Sequence, residues 1–154
     1  MMAGKRCGAI FLEERKEETI KRLGARYLGV DFKSFKEKPT QVGKTPEELA
    51  EAYDWITGQD KLFIVDHFGS MPIDTLMNKI KYLHYVCKCD VIILDHLSMV
   101  ISGSAIKDER KELDMVMTQL ASFCASSTCH VIIVNHLNRD IASEFKPPKG
   151  KEDE

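Results

Sequence analysis

No apolar run in the 154 residues is long enough to cross a bilayer, which takes about 20 residues in a helix, so a membrane-spanning role is not expected. The N-terminal stretch Met1-Met2-Ala3-Gly4-Lys5-Arg6 has none of the apolar core of a signal peptide. There is no excess of either charge. Basic residues number 22 and acidic 24, for a formal net charge of −2. A global basic field of the kind that collects nucleic acid is absent, which leaves room only for a local basic loop. The five cysteines are odd in number, and no C-x-x-C pair occurs. Cys87-Lys88-Cys89 is the one close pair, and it has neither a second pair nor a histidine cluster at zinc spacing. Buried thiols in a reducing compartment are therefore expected. No repeat of solenoid length is visible.

A phosphate-binding P-loop is also missing. Gly43-Lys44-Thr45 looks like its end, but residue 38, where G-x-x-x-x-G-K-[ST] requires its first glycine, is lysine. A lysine-rich stretch lies upstream in place of a buried strand, and Pro46 follows. Thr45-Pro46-Glu47-Glu48 reads instead as a helix start: N-cap threonine, proline in the first turn, then acids.

What remains is ordinary globular composition, 44% hydrophobic and 30% charged, enough for one domain with a core. The central feature is Val91-Ile92-Ile93-Leu94-Asp95-His96. Continuous rather than alternating hydrophobicity predicts a strand buried on both faces, as in a parallel sheet. The same design recurs in Lys61-Leu62-Phe63-Ile64-Val65-Asp66-His67, in Val131-Ile132-Ile133-Val134-Asn135-His136, and in the short run from Cys7 that ends in Glu13 and Glu14.

Helices are expected between the strands. A charged helix follows Arg15 and ends near Gly24, and a short strand is read at 27–30. Residues 31–45 read as a loop. A helix begins at Thr45 and runs to about Trp55. Another carries Leu76, Ile80 and Leu83 and ends near Cys87. Residues 97–108 read as a loop. From Glu109 a helix presents Leu113, Val116, Met117, Leu120 and Cys124 on one face. Residues 137–154 carry no core pattern. The fold class is therefore α/β with a mainly parallel sheet.

In such a sheet ligands bind beyond the carboxyl ends of the strands. Four strand ends there carry Glu13 and Glu14, Asp66 and His67, Asp95 and His96, and Asn135 and His136. A carboxylate directly after a four-residue apolar strand is the Walker B pattern, which holds the water shell of a magnesium ion on a nucleotide. A carboxylate on a neighbouring strand can act as general base toward water. A polar residue one strand further can sense the γ-phosphate. Apolar strands followed by aspartate also occur in receiver-like and flavodoxin-like domains, so the residues alone leave an unrelated metal- or phosphate-binding domain open.

Several ordered blocks carry a resemblance to a known family. They are Cys-Asp-Val-Ile-Ile-Leu-Asp-His from Cys89, then Asp108-Glu109-Arg110-Lys111, the helix through Leu120, Val134-Asn135-His136-Leu137, and Phe11-Leu12-Glu13-Glu14 with Glu17-Glu18-Thr19. These resemble the helicase domain of phage-type primase-helicases and Twinkle, within the DnaB-like superfamily 4 ring helicases. The likeness covers roughly residues 3–140 and is weakest at 28–60.

The resemblance implies a RecA-like three-layer fold, truncated at both ends relative to the family, over residues 1–140. Residues 141–154 would form a flexible tail or the start of a DNA-binding loop. It also implies an ATP-dependent replicative helicase motor using Mg2+ with ATP or another nucleoside triphosphate. Glu13 matches the general base, Asp95 the Walker B aspartate that binds the cofactor through a water-held Mg2+, and His136 the histidine coupling γ-phosphate state to the DNA loop. Arg139, Lys146, Lys149 and Lys151 become candidate contacts to single-stranded DNA.

The partners implied are single-stranded DNA, the other subunits of a hexameric ring, and a separate polypeptide bearing the P-loop; no membrane is implied. The compartment would be the cytoplasm of a bacterial or phage-infected cell, or alternatively the mitochondrial matrix. The family's arginine finger and last strands have no counterpart here, and Asn135 is assigned no role. The competing expectation is a non-catalytic remnant, an interaction module on a RecA-like core.

Overall fold

A computed structural model of the chain describes residues 4–58, 60–101 and 109–135. The elements are β1 (Cys7–Phe11), α1 (Lys16–Leu28), α2 (Phe32–Glu37), α3 (Pro46–Thr57), β2 (Leu62–Ile64), α4 (Ile73–Tyr85), β3 (Val91–Asp95), α5 (Ser98–Ile101), α6 (Glu109–Ser126) and β4 (His130–Val134), with a 3-10 turn at Pro39–Gln41. The four strands form one sheet in the order β2-β1-β3-β4, and every pairing is parallel. The expected α/β class with a parallel sheet is therefore observed.

Parallel pairing needs a crossover between strands, and helices supply it. Side chains alternate across each strand, so the sheet has two distinct faces. Gly8, Ile10, Ile92 and Leu94 point to one of them. The three apolar side chains join Leu76, Met77, Ile80 and Leu83 of α4 and Val116, Leu120 and Phe123 of α6 in a single buried cluster. Gly8 suits this packing, in which any side chain would make its neighbours shift. A Cβ there would lie 2.8 Å from Leu83 Cδ1 and 3.3 Å from Ile92 Cγ1.

The opposite face, carrying Cys7, Ala9, Phe11, Ile93 and Asp95, is not packed in this way. It opens into a cavity of about 1250 Å3 whose far wall is formed by α1 and α3 through Leu23, Tyr27 and Trp55. The first three helices instead pack on one another around Phe35, which is fully buried. Gly24 sits against that ring, with its Cβ position 3.7 Å from the Phe35 ring edge.

Several local expectations are corrected. The first helix does not stop at Gly24, which lies inside it in ordinary contact with Phe35. It continues to Leu28 and ends at Gly29, which takes φ 67° and donates its N–H to the carbonyls of Ala25 and Arg26. No strand forms at 27–30 for that reason. The 31–45 stretch is not all loop, because the Asp31 side chain accepts from Ser34 N and starts α2. Part of the stretch after Leu97 is also helical, as α5.

Met117 is 42% exposed and faces away from the core. The strand β4 is not buried on both faces: Ile132 and Val134 are 52% and 42% exposed at the margin of the sheet. Of the five cysteines, Cys89 and Cys129 are buried, and Cys7, Cys87 and Cys124 only partly so. Burial pushes the Cys89 thiol up to about 12 and the Cys129 thiol up to about 11. The start of α3 is as expected. Thr45 and Glu48 form a reciprocal capping box, with Pro46 in the first turn.

Two substitutions separate the sources of stability in the helical layer. Phe35→Ala removes the ring around which α1, α2 and α3 pack, and should cost about 3–5 kcal/mol. Thr45→Ala removes one cap bond and should cost about 1 kcal/mol. Urea unfolding of the two variants checks the order; equal losses would mean that Phe35 is not the centre of that layer.

Candidate active site

The ladder brings Phe11, Asp95 and Val134 level across three neighbouring strands. The residues that follow each strand therefore share one edge, the carboxyl edge of the sheet. Leu12 N donates to Asp95 O at 2.7 Å, and Leu97 N donates to Val134 O at 3.2 Å, so the register is held past the strand ends.

Glu13 and Glu14 follow β1 but serve different ends. Glu14 is committed to α1: it accepts from Thr19 Oγ1 at 3.0 Å and from Arg22 Nε and Nη2 at 3.2 and 2.6 Å. Glu13 turns toward the neighbouring strand end, and its Oε2 lies 3.3 Å from His96 Nδ1. The Glu13 side chain is 54% exposed whereas that of His96 is 5% exposed. A half-solvated carboxylate thus rests against a buried imidazole, across a cis Asp95–His96 peptide. Glu13 and Asp95 both line the cavity on the less covered face of the sheet.

The other predicted strand end does not join them. Asp66 is ion-paired with Lys16, and this contact raises the Lys16 ammonium above its usual range. His67 Nε2 lies 3.0 Å from Ser70 O, closing the turn before α4. Asp66 and His67 thus serve the local structure. Asn135 is exposed at the end of β4. His136, Arg139, Lys146, Lys149 and Lys151 lie outside the described residues, as does the 141–154 segment.

The rim of the cavity is charged and partly paired. Lys36 bridges to Glu18 at 2.9 Å, which holds the Glu18 carboxyl below its usual range. Arg22 stacks on Phe32 at 4.2 Å while it binds Glu14. Arg15 lies over Phe68 at 5.8 Å. Beneath this rim the wall is apolar.

His96 is the site residue that sequence reasoning passed over. It was visible only as one polar strand end among four. What distinguishes it is burial beside a carboxylate, and that depends on two segments far apart in the chain, brought together by the β1–β3 pairing. Asp95 offers one hard oxygen donor group at a strand end. That fits a magnesium ion held through water and completed by phosphate oxygens, not an all-protein cage. Consistent with this, no group of three or more histidine, cysteine, aspartate or glutamate side chains among the described residues could hold a metal.

Comparison with known proteins gives the site a setting. The family model described as the DnaB-like helicase C-terminal domain matches residues 2–149. A DNA helicase/primase of Enterobacteria phage T3 is 35% identical over 151 residues, which is 96% of this chain and 25% of the phage protein. Among solved structures, one described as an ATPase domain superposes with a TM-score of 0.75 at 16% identity, over 92% of this chain and 50% of that one. A DnaB-like replicative helicase, solved for its interactions with primase, gives 0.76 at 16% identity, over 94% and 35%. A KaiC-like protein from Pyrococcus horikoshii gives 0.56 at 15% identity, over 89% and 50%. The fold is therefore RecA-like, and the chain spans a quarter of the phage relative and half or less of the solved ones.

The donor set generates a prediction about metal. Mn2+ titration of the 154-residue chain, followed by paramagnetic broadening of the Leu12, Asp95 and Val134 amides, should give only weak, unsaturated binding at millimolar ion. Tight binding that Asp95→Asn abolishes would favour an unrelated metal-binding domain.

Proposed function

The chain belongs to the family of DnaB-like helicase C-terminal domains, and from that premise we propose that it is part of an ATP-dependent replicative DNA helicase motor. In this reading nucleotide hydrolysis drives translocation on single-stranded DNA and unwinding of duplex. The observation that carries the proposal is the placement of Glu13 and Asp95 on adjacent parallel strand ends, opening into one cavity.

Glu13 is the general base. It is half-solvated, sits beyond the end of β1, and can take a proton from an attacking water. Asp95 would hold a magnesium ion through water. When bound, that ion neutralises charge on the β- and γ-phosphates. His136 senses the γ-phosphate, and Arg139, Lys146, Lys149 and Lys151 contact the DNA backbone.

The phosphate cradle comes from outside these 154 residues, either in the same polypeptide or in a second one, because no P-loop sequence is present within them. The architecture supports an added piece. Parallel sheets are covered by helices on both faces, yet here one face borders the large cavity. The margin strand β4 leaves Ile132 and Val134 exposed.

The working assembly is a ring of such subunits, a hexamer, acting in the cytoplasm of a bacterial or phage-infected cell or in the mitochondrial matrix. A non-catalytic remnant docking on a ring helicase is the competing reading. It is told apart by the absence of turnover in any combination.

The test is ATP hydrolysis, with and without single-stranded DNA, by the 154-residue chain alone and with a P-loop-bearing segment supplied. The chain alone should not turn over. The completed motor should, and Glu13→Gln should lower its turnover by about 10²–10⁴-fold while nucleotide binding persists. Robust hydrolysis by the chain alone would overturn the missing-cradle reading, and normal turnover by Glu13→Gln would overturn the base assignment.

A further inference from the structure

We infer that His96 is a positioning residue that holds Glu13 in its catalytic orientation. This rests on the reading of Glu13 as general base and names the group through which that base is aimed.

A glutamate beyond a strand end has three rotatable bonds, and the side chain of this one is 54% exposed. A base must hold its oxygen within about 0.5 Å of the productive place, because a 1 Å error can cost about 10²-fold in rate. His96 supplies a fixed point to hold it. Its own residue exposure is 4%. Its backbone is pinned on either side: Asp95 O accepts from Leu12 N at 2.7 Å, and Leu97 N donates to Val134 O at 3.2 Å. The His96 carbonyl accepts from Met99 N at 3.2 Å, which sets the first turn of α5.

The ring is therefore anchored at the β3 end, and its Nδ1 lies 3.3 Å from Glu13 Oε2. As it stands the pair is a close approach and not a formed hydrogen bond. In the Nδ1–H form a small rotation of the Glu13 carboxylate lets Nδ1 donate to Oε2 and leaves the other oxygen to accept the proton of water. That separation is slightly long for an N–H···O bond. Catalytic bonds of this kind are commonly long before substrate arrives and tighten in the complex. Glu14, the neighbouring carboxylate, cannot take the same role because Thr19 and Arg22 hold it against α1.

A buried histidine can also be mere filling, and the variants separate the two roles. His96→Leu keeps the bulk and removes the donor. His96→Asn places an amide N–H near the position of Nδ1. In the completed motor, on single-stranded DNA, His96→Leu should lower kcat on the order of 10-fold to 100-fold with KM for ATP unchanged. His96→Asn should restore most of that loss, and Glu13→Gln with His96→Leu should be no slower than Glu13→Gln alone.

Equal behaviour of the leucine and asparagine variants, or full additivity with Glu13→Gln, would overturn the positioning role. Should His96→Leu fail to fold, the 154-residue chain with 15N-labelled histidine gives the answer. Glu13→Gln should shift the His96 Nδ1 resonance, and an unmoved resonance overturns the contact. Normal turnover by Glu13→Gln would sink the general-base reading itself. Loss of turnover in Glu13→Gln beside an unaffected His96→Leu would sink only the inference drawn here.

Discussion

Everything at this site depends on the register of a parallel hydrogen-bond ladder. Parallel strands start and finish on the same sides, so their carboxyl ends gather on one edge without any side chain having to specify it. Here the ladder sets Phe11 beside Asp95 and Asp95 beside Val134. The residues that follow are then neighbours by construction. A slip by one residue would turn each side chain to the other face. Gly8 favours the observed register, since a side chain there would push on Leu83 and Ile92 where they close over β1.

The two faces of the sheet have different fates. One is sealed by α4 and α6 with fully buried Ile10, Ile92 and Leu94. The other keeps its apolar residues beside a cavity, while α1, α2 and α3 satisfy one another around Phe35. On the rim of the cavity Lys36 pairs with Glu18 and Arg22 with Glu14, while Arg15 and Arg26 add positive charge to the same lining. Beneath the rim the lining is apolar, and burial of apolar surface is the term that drives association.

How much of this was legible in the sequence follows from how local each signal is. The strands at β1, β3 and β4 were readable because short apolar runs bounded by turns describe strands well. The α3 start was readable because Thr45, Pro46 and Glu48 carry a complete cap within four residues. Gly24 misled for a physical reason. A glycine in a helical pattern reads as a stop, but the αL cap that ends α1 is the next glycine, Gly29, five residues on. The half-exposed state of β4 was hidden because a run of Val131 to Val134 looks the same whether its cover is present or not. In the site, Asp95 and Glu13 stood out by type and place. The division of labour between Glu13 and Glu14 did not, because it depends on Thr19 and Arg22 of the following helix. His96 acquired meaning only from its burial.

The strand β4 has one hydrogen-bonded neighbour among the described residues, β3, and it ends the sheet. Among the described residues no strand pairs with its outer side, which is flanked by the exposed side chains of Ile132 and Val134. An edge of that kind is a template that does not distinguish strongly between strands offered to it. What it pairs with becomes a question of local concentration. Tethered or supplied at equal stoichiometry, a complementary strand wins by proximity. In dense solution another copy of the same edge is one such strand, so β4 is the side of the sheet from which association between copies would start.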